Sequence, residues 1–255
     1  MNEKHIAIRS KSIRRDMNYT TPGLGDRSHC MLLAYQYSTE YNVPVKIHLT
    51  SDKHGKQHKK TSWKELSEMV PVKYQVHDVC GLSEDGWLDY LTSKGIDAEI
   101  YYYKDTQHMH PMETTVPLEI SQYLKKLVNV DPLPVGKDLN LPKKYVTQQW
   151  DSTDAGRNIS PILLLTIQQK YESMGYELIT IGGASKNKLL KDSLKHIGYA
   201  IANADFHIGG DSGMMHIAQL YKQYEDIHIY NNDGYKSHHF IRAVRNGSPL
   251  NLYLN

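Results

Sequence analysis

The chain has 255 residues, 40% of them hydrophobic, and 30 Lys and Arg against 28 Asp and Glu leave a net charge of +2. That length suits one large domain or two small ones, and a charge so nearly balanced, with Lys53–Lys64 as a solvated stretch, argues against nucleic acid or an anionic membrane as partner. Cys30 and Cys80 lie in apolar surroundings and read as reduced, buried thiols; with no signal-type apolar run in Met1–Arg15 and no stretch of about 18 apolar residues, a soluble, cytoplasmic protein without stable membrane insertion is expected.

Short apolar runs then alternate with helical patterns, which predicts a parallel α/β architecture. Ile6–Ile8 is a first strand, followed by a polar loop with Pro22, Gly23 and Gly25. A helix is predicted over Asp26–Tyr41, ended by Asn42 and Pro44, and Val45–Leu49 is the next strand. Ser62-Trp63-Lys64-Glu65 has the pattern of a capping box, in which the hydroxyl and the carboxylate each satisfy an orphan amide, so a helix is expected from there to Met69. Val72–Val76 is a strand, Ser83–Lys94 a helix closed by Gly95, and Ala98–Tyr103 a strand. Pro117 opens a helical segment to Leu127.

Three prolines and a glycine with little periodicity mark Val130–Lys144 as the linker, dividing the chain into 1–138 and 139–255. Beyond it, Tyr145–Gln149 is a strand. Ser160-Pro161 is a strong helix start and Gly175 a stop. Glu177–Ile181 is a strand running into Gly182-Gly183. Helices are predicted over Leu189–Ile197 and Tyr199–Asn203, a strand over Phe206–Ile208, a helix over Ser212–Tyr221 and a last strand over Ile227–Tyr230. Four strands with intervening helices make a Rossmann-like unit.

Two turns carry chemistry. At Gly209-Gly210-Asp211-Ser212-Gly213 a strand passes directly into a helix. Glycines there let the backbone approach a ligand, and a new helix offers unpaired amides to an anion. Asp211 and Ser212 can equally be a plain helix cap. Gly23-Leu24-Gly25-Asp26 is the second such turn; its glycines free the backbone, and a carboxylate at a helix start can be a plain cap. Arg157, in the loop after Gln149 that also holds Asp151, suits a diphosphate, with a solvated loop as the alternative. Gly182 and Gly183 suit a nucleotide-facing turn or a tight strand-to-helix connection. Lys236 and His238, after the last strand, stand where ligands collect in such sheets. His216, beside Ile217 and Leu220, reads as a hydrogen-bonded core histidine or as a catalyst. Fourteen histidines make metal worth testing, but His54/His58 and His108/His110 lack a neighbouring Cys, Asp or Glu at ligand spacing, so no metal is expected.

The run from Asn203 to Ala218, with Ala204-Asp205, an apolar strand, then Asp211-Ser212-Gly213-Met214-Met215-His216-Ile217-Ala218, resembles the donor-site signature of the heptosyltransferase-type glycosyltransferases of GT-B fold. The resemblance implies two Rossmann-like domains facing a cleft. It implies that Asp211, Ser212, Gly213, Met214 and Met215 hold a nucleotide-sugar diphosphate, with Met214 and Met215 acting through their amides. It extends to Gly23, Gly25 and Asp26, where it implies Asp26 as general base toward an acceptor hydroxyl, in glycan or cell-surface polysaccharide synthesis. The donor is then a substrate, and no cofactor is expected. The family's Phe-Gly-Pro-Thr after the last strand is replaced by Tyr230-Asn231-Asn232-Asp233-Gly234, so the resemblance implies the superfamily and not heptose transfer. A nucleotide-sugar epimerase or hydrolase of the same fold, and a non-catalytic nucleotide-sugar binding module, are the alternative readings.

Overall fold

The computed structural model describes residues 3–11, 42–50, 58–70, 72–77, 84–104, 139–151, 159–210, 212–222 and 226–230, with single positions at 24, 28, 31, 34, 35, 38, 39, 79 and 132. The chain divides into two compact units, Met1–Lys126 and Leu127–Asn255. Each holds a four-stranded sheet in which every described pairing is parallel.

In the first unit β1 (Lys4–Lys11), β2 (Val45–Thr50), α1 (His58–Met69), β3 (Lys73–His77), α2 (Glu84–Ser93) and β4 (Ala98–Lys104) follow in chain order. The strands lie in the order β3-β2-β1-β4. Between β1 and β2, Leu24, Ser28, Met31, Ala34, Tyr35, Ser38 and Thr39 are helical, so helix is present two residues before the predicted start at Asp26. Its stop is the predicted one: Asn42 takes a left-handed φ of 51°, and Val43 N–H donates back to Ser38 O at 3.1 Å, as at a helix end closed by Asn.

The capping-box prediction at Ser62 is corrected. Helix α1 begins at His58, which places Ser62 inside the helix; the preceding Lys59 and Lys60 are good helix formers and carry it one turn further back. Helix α2 packs Trp87 and Leu91 against Ala7 of the sheet. On this sheet His5, His48 and His77, one from each of three neighbouring strands, form a chain. His5 Nδ1 lies 2.8 Å from His48 Nε2, and His48 Nδ1 lies 2.9 Å from His77 Nε2. His48 is fully buried, and the His77 ring stands edge-on to Trp87 and Tyr90.

The second unit comprises β5 (Tyr145–Gln149), α3 (Pro161–Ser173), β6 (Glu177–Thr180), α4 (Lys188–Asp192), α5 (Leu194–Asn203), β7 (Phe206–Gly209), α6 (Gly213–Ala218) and β8 (Ile227–Ile229). The strand order is β6-β5-β7-β8. Helix α3 starts as expected. Ser160 is extended (φ −65°, ψ 148°), its Oγ accepts from Leu163 N–H, and Pro161 fills the first turn. Gly175 closes it, with Tyr176 N–H bonded to Tyr171 O at 3.1 Å. The helical stretch after β6 breaks at Ser193, which is extended (φ −121°), and not near Gly198 as predicted. Gly198 is buried within α5, where a small residue lets the helix pack closely.

One face of the second sheet meets α3 through Val146, Ile167, Tyr171, Ile208 and Tyr230. On that face the Tyr171 hydroxyl contacts both His228 Nδ1 and Tyr230 Oη. On the other face Tyr145 Oη donates to Ala200 O at 2.8 Å, and Thr147 Oγ1 lies 2.9 Å from His207 Nδ1. The buried Lys222 ammonium donates to Ala202 O and Ala204 O, which closes the carboxyl end of α5 with a positive charge.

Candidate nucleotide site

Strand order decides where a ligand can sit in an open parallel sheet. From β5 the chain moves out to β6, then returns across β5 to β7 and on to β8. The direction of winding therefore reverses between β5 and β7, and the crevice outside their carboxyl ends is the switch point where such sheets bind ligands. Gln149 ends β5, and Gly209 is its partner at the end of β7.

A central parallel strand is normally an apolar run. Here Thr147, Gln148 and Gln149 are consecutive, polar and buried. Alternation sends Gln148 and Gln149 to opposite faces. Gln148 makes three side-chain hydrogen bonds on the α3 face. Its Oε1 accepts from Trp150 Nε1 at 2.8 Å and Gln168 Nε2 at 3.0 Å, and its Nε2 donates to Thr180 Oγ1 at 3.1 Å.

Gln149 organises the switch point. Its Nε2 donates to the backbone oxygen of Asp151, and its Oε1 accepts from the Ser212 hydroxyl. Its own carbonyl oxygen takes the Gly210 N–H at 3.2 Å. A Cβ on Gly182 would stand 3.3 Å from Gln149 Cγ and 3.9 Å from Met214 Cε, and Gly182 has a φ of +75° that favours glycine. The turn after β6 is thus held against the end of β5. Gly183 lies beside Asp151, 4.0 Å separating its built Cβ position from Asp151 Oδ2.

These distances bring together Asp151 after β5, Gly182 and Gly183 after β6, and Ser212 with Gly213, Met214 and Met215 at the start of α6. Asp151 and Gly183 are exposed, whereas Gly182, Ser212 and Met215 are buried. Ser212 is the residue before α6, yet its side chain makes no cap hydrogen bond; the hydroxyl goes to Gln149 instead. The Met215 amide bonds Ser212 O at 3.2 Å. His216 is buried on α6. Behind the site His207 is fully buried. Burial first, and the Lys222 charge second, push its imidazole down to about 3, so it is neutral at ordinary pH.

Gly23, Gly25, Asp26, Arg157, Asp211, Lys236 and His238 lie outside the described residues, as do His54, His108, His110 and the predicted helix after Pro117. Gln149 escaped the sequence reading. The signal that could have found it is the run of three polar residues at the end of a central strand.

No family model and no curated protein matches the sequence. Solved structures similar to the chain include glycosyltransferases, heptosyltransferases among them. A family 9 glycosyltransferase from Veillonella parvula is 9% identical, with a TM-score of 0.49 over 89% of this chain and 79% of that one. The ADP-heptose LPS heptosyltransferase II of E. coli is 12% identical, with a TM-score of 0.49 over 89% and 84%. The iron-containing dodecameric glycosyltransferase TibC from enterotoxigenic E. coli is 14% identical, with a TM-score of 0.46 over 88% of this chain. The chain spans 56% of the length of TibC.

Proposed function

We propose that the chain is a glycosyltransferase of GT-B type that moves a sugar from a nucleotide-sugar donor, held on the second unit, to a hydroxyl of a glycan or similar acceptor. The observation that carries this reading is the meeting of the Gly182 and Gly209–Ser212 turns on Gln149 at the switch point. The segment whose order resembles a donor-site signature supplies one of those turns.

On this reading the turn from Gly210 through Asp211, Ser212, Gly213, Met214 and Met215 holds the diphosphate, with Asp151 and Arg157 beside the phosphates or sugar. Gly182 and Gly183 leave room for the nucleotide, and Lys236 offsets charge on the leaving group. Asp26, in its Gly23–Gly25 turn, takes the proton of the acceptor hydroxyl as that oxygen attacks the anomeric carbon. The bond from that carbon to the diphosphate breaks, and the diphosphate leaves with its electron pair. Backbone amides and basic side chains stabilise the departing charge, so the chemistry proposed uses no metal. Among the described residues no group of three His, Cys, Asp or Glu is placed to hold one, and no helix is long and apolar enough to cross a membrane.

Thermal shift against UDP, GDP, ADP, CMP and TDP tests the reading at its root. One nucleotide should stabilise the protein, and stabilisation by none overturns the proposal. Asp26→Asn should abolish transfer from the matching donor while nucleotide affinity stays nearly intact. Sugar release or epimer formation without acceptor points instead to a hydrolase or epimerase. Stabilisation without turnover on any acceptor points to a binding module.

A further inference from the structure

We infer that Gln149 is a positioning residue for the diphosphate turn, acting through Ser212 as one clamp; the inference rests on the nucleotide reading above. A carboxamide has one face that accepts and one that donates. The Asp151 backbone oxygen can only accept, so Gln149 Nε2 must face it and Oε1 must face Ser212. This network assigns the amide orientation, and it assigns the Ser212 proton as well: the hydroxyl donates to Gln149.

That leaves the Ser212 side chain performing neither task the sequence suggested. It does not cap α6, and its hydrogen is directed into the protein and away from a ligand. What the pair does is tie the loop after β5 to the loop after β7 across the switch point. Gly182 packs on the Gln149 side-chain stem and Gly210 on its carbonyl, so a single residue sets the spacing of all three loops. The backbone amides of the turn then meet the phosphates in a fixed geometry, without reordering on binding.

If the clamp is the functional unit, breaking it at either end has the same effect. Gln149→Met keeps the length and bulk against Gly182 but removes both hydrogen bonds, and Ser212→Ala removes the other end. Calorimetric titration with the nucleoside diphosphate that binds the wild-type chain most tightly, among ADP, UDP, GDP and TDP, reads the outcome. Each single variant should weaken binding about tenfold, and the double variant should be no weaker than either, the signature of two residues acting together. Losses that multiply to about a hundredfold, or Gln149→Met binding as tightly as wild type, overturn the clamp and leave the nucleotide reading standing. Absence of diphosphate binding by the wild-type chain overturns that reading itself. Should Gln149→Met fail to fold, the wild-type protein supplies the test. In nitrogen–proton NMR the Gln149 side-chain amide should shift along the same titration curve as the Gly213 backbone amide, and an unmoved Gln149 signal overturns the inference.

Discussion

Gly209 sits so close to Gln149 across the β5–β7 pairing that a Cβ on Gly209 would overlap the Gln149 carbonyl oxygen and lie 3.1 Å from its carbonyl carbon. The obstacle is backbone, and it also receives the Gly210 N–H, so no side-chain rotation relieves it. Gly209→Ala should therefore pry the two strands apart at the switch point, costing about 1–3 kcal/mol or more. Gly182→Ala should cost about 1–2 kcal/mol from its left-handed φ. Gly183→Ala, with 4.0 Å to its nearest neighbour, should stay within about 0.5 kcal/mol of wild type. Urea denaturation of the three variants gives the ranking, and Gly183 as the costliest of them would refute this account of the turns.

The Ser160 cap offers a control remote from the site. Its Oγ accepts the Leu163 amide at 3.2 Å, and Pro161 already fixes the first helical φ. Ser160→Ala should lower stability by about 1 kcal/mol and leave nucleotide affinity unchanged. An affinity loss would mean that α3 takes part in the site.

Lys222 is buried, and burial lowers its pKa while Asp226 and Asp205 pull the other way. It joins α5 to the strand that follows through Ala202 O and Ala204 O. Lys222→Met keeps the chain length but leaves two carbonyls without that donor, at a cost of about 1–3 kcal/mol. Denaturation at pH 7 measures it. A stability equal to wild type would show that water replaces the ammonium.

These residues also show how far the sequence could be read. Ser160-Pro161, Gly175 and Asn42 were legible because caps and left-handed stops act within a few residues of themselves. Strands β6 to β8 were legible because each holds apolar or β-branched residues bounded by turn residues, and β5 because Tyr145-Val146-Thr147 opens it. The glycines of the site were legible as turns, but their reason was not. Gly209 and Gly182 answer to Gln149, which lies 60 and 33 positions away in sequence, and only the pairing of β5 with β7 and with β6 brings these groups together. Ser212 was readable as either a cap or a ligand, since both choices are local. Its actual partner depends on strand order. The Ser62 capping pattern misled because an N-cap motif has the same appearance inside a helix whose preceding residues also favour helix.

The histidine chain of the first unit should make that unit acid-sensitive. Burial, then the neighbouring His77 and His5, push the His48 imidazole from 6.5 to about 4, and His77 is lowered mainly by burial. An unfolded chain takes up a proton at His48 near pH 6.5, whereas the folded one does so only near pH 4. Between those values the unfolded state binds more protons, so stability is complete above about pH 6.5 and falls with pH, by up to about 1.4 kcal/mol per pH unit for one such group. The geometry agrees with this direction. Each link in His5–His48–His77 holds one proton between two nitrogens, and charging the whole chain would set donor against donor. Urea denaturation at pH 7.5, 6 and 5, followed by tryptophan fluorescence, should show the midpoint falling below pH 6.5. His48→Asn should be less stable than wild type at pH 7.5 and show a flatter pH dependence. An equally steep dependence in His48→Asn would assign the acid sensitivity to other groups.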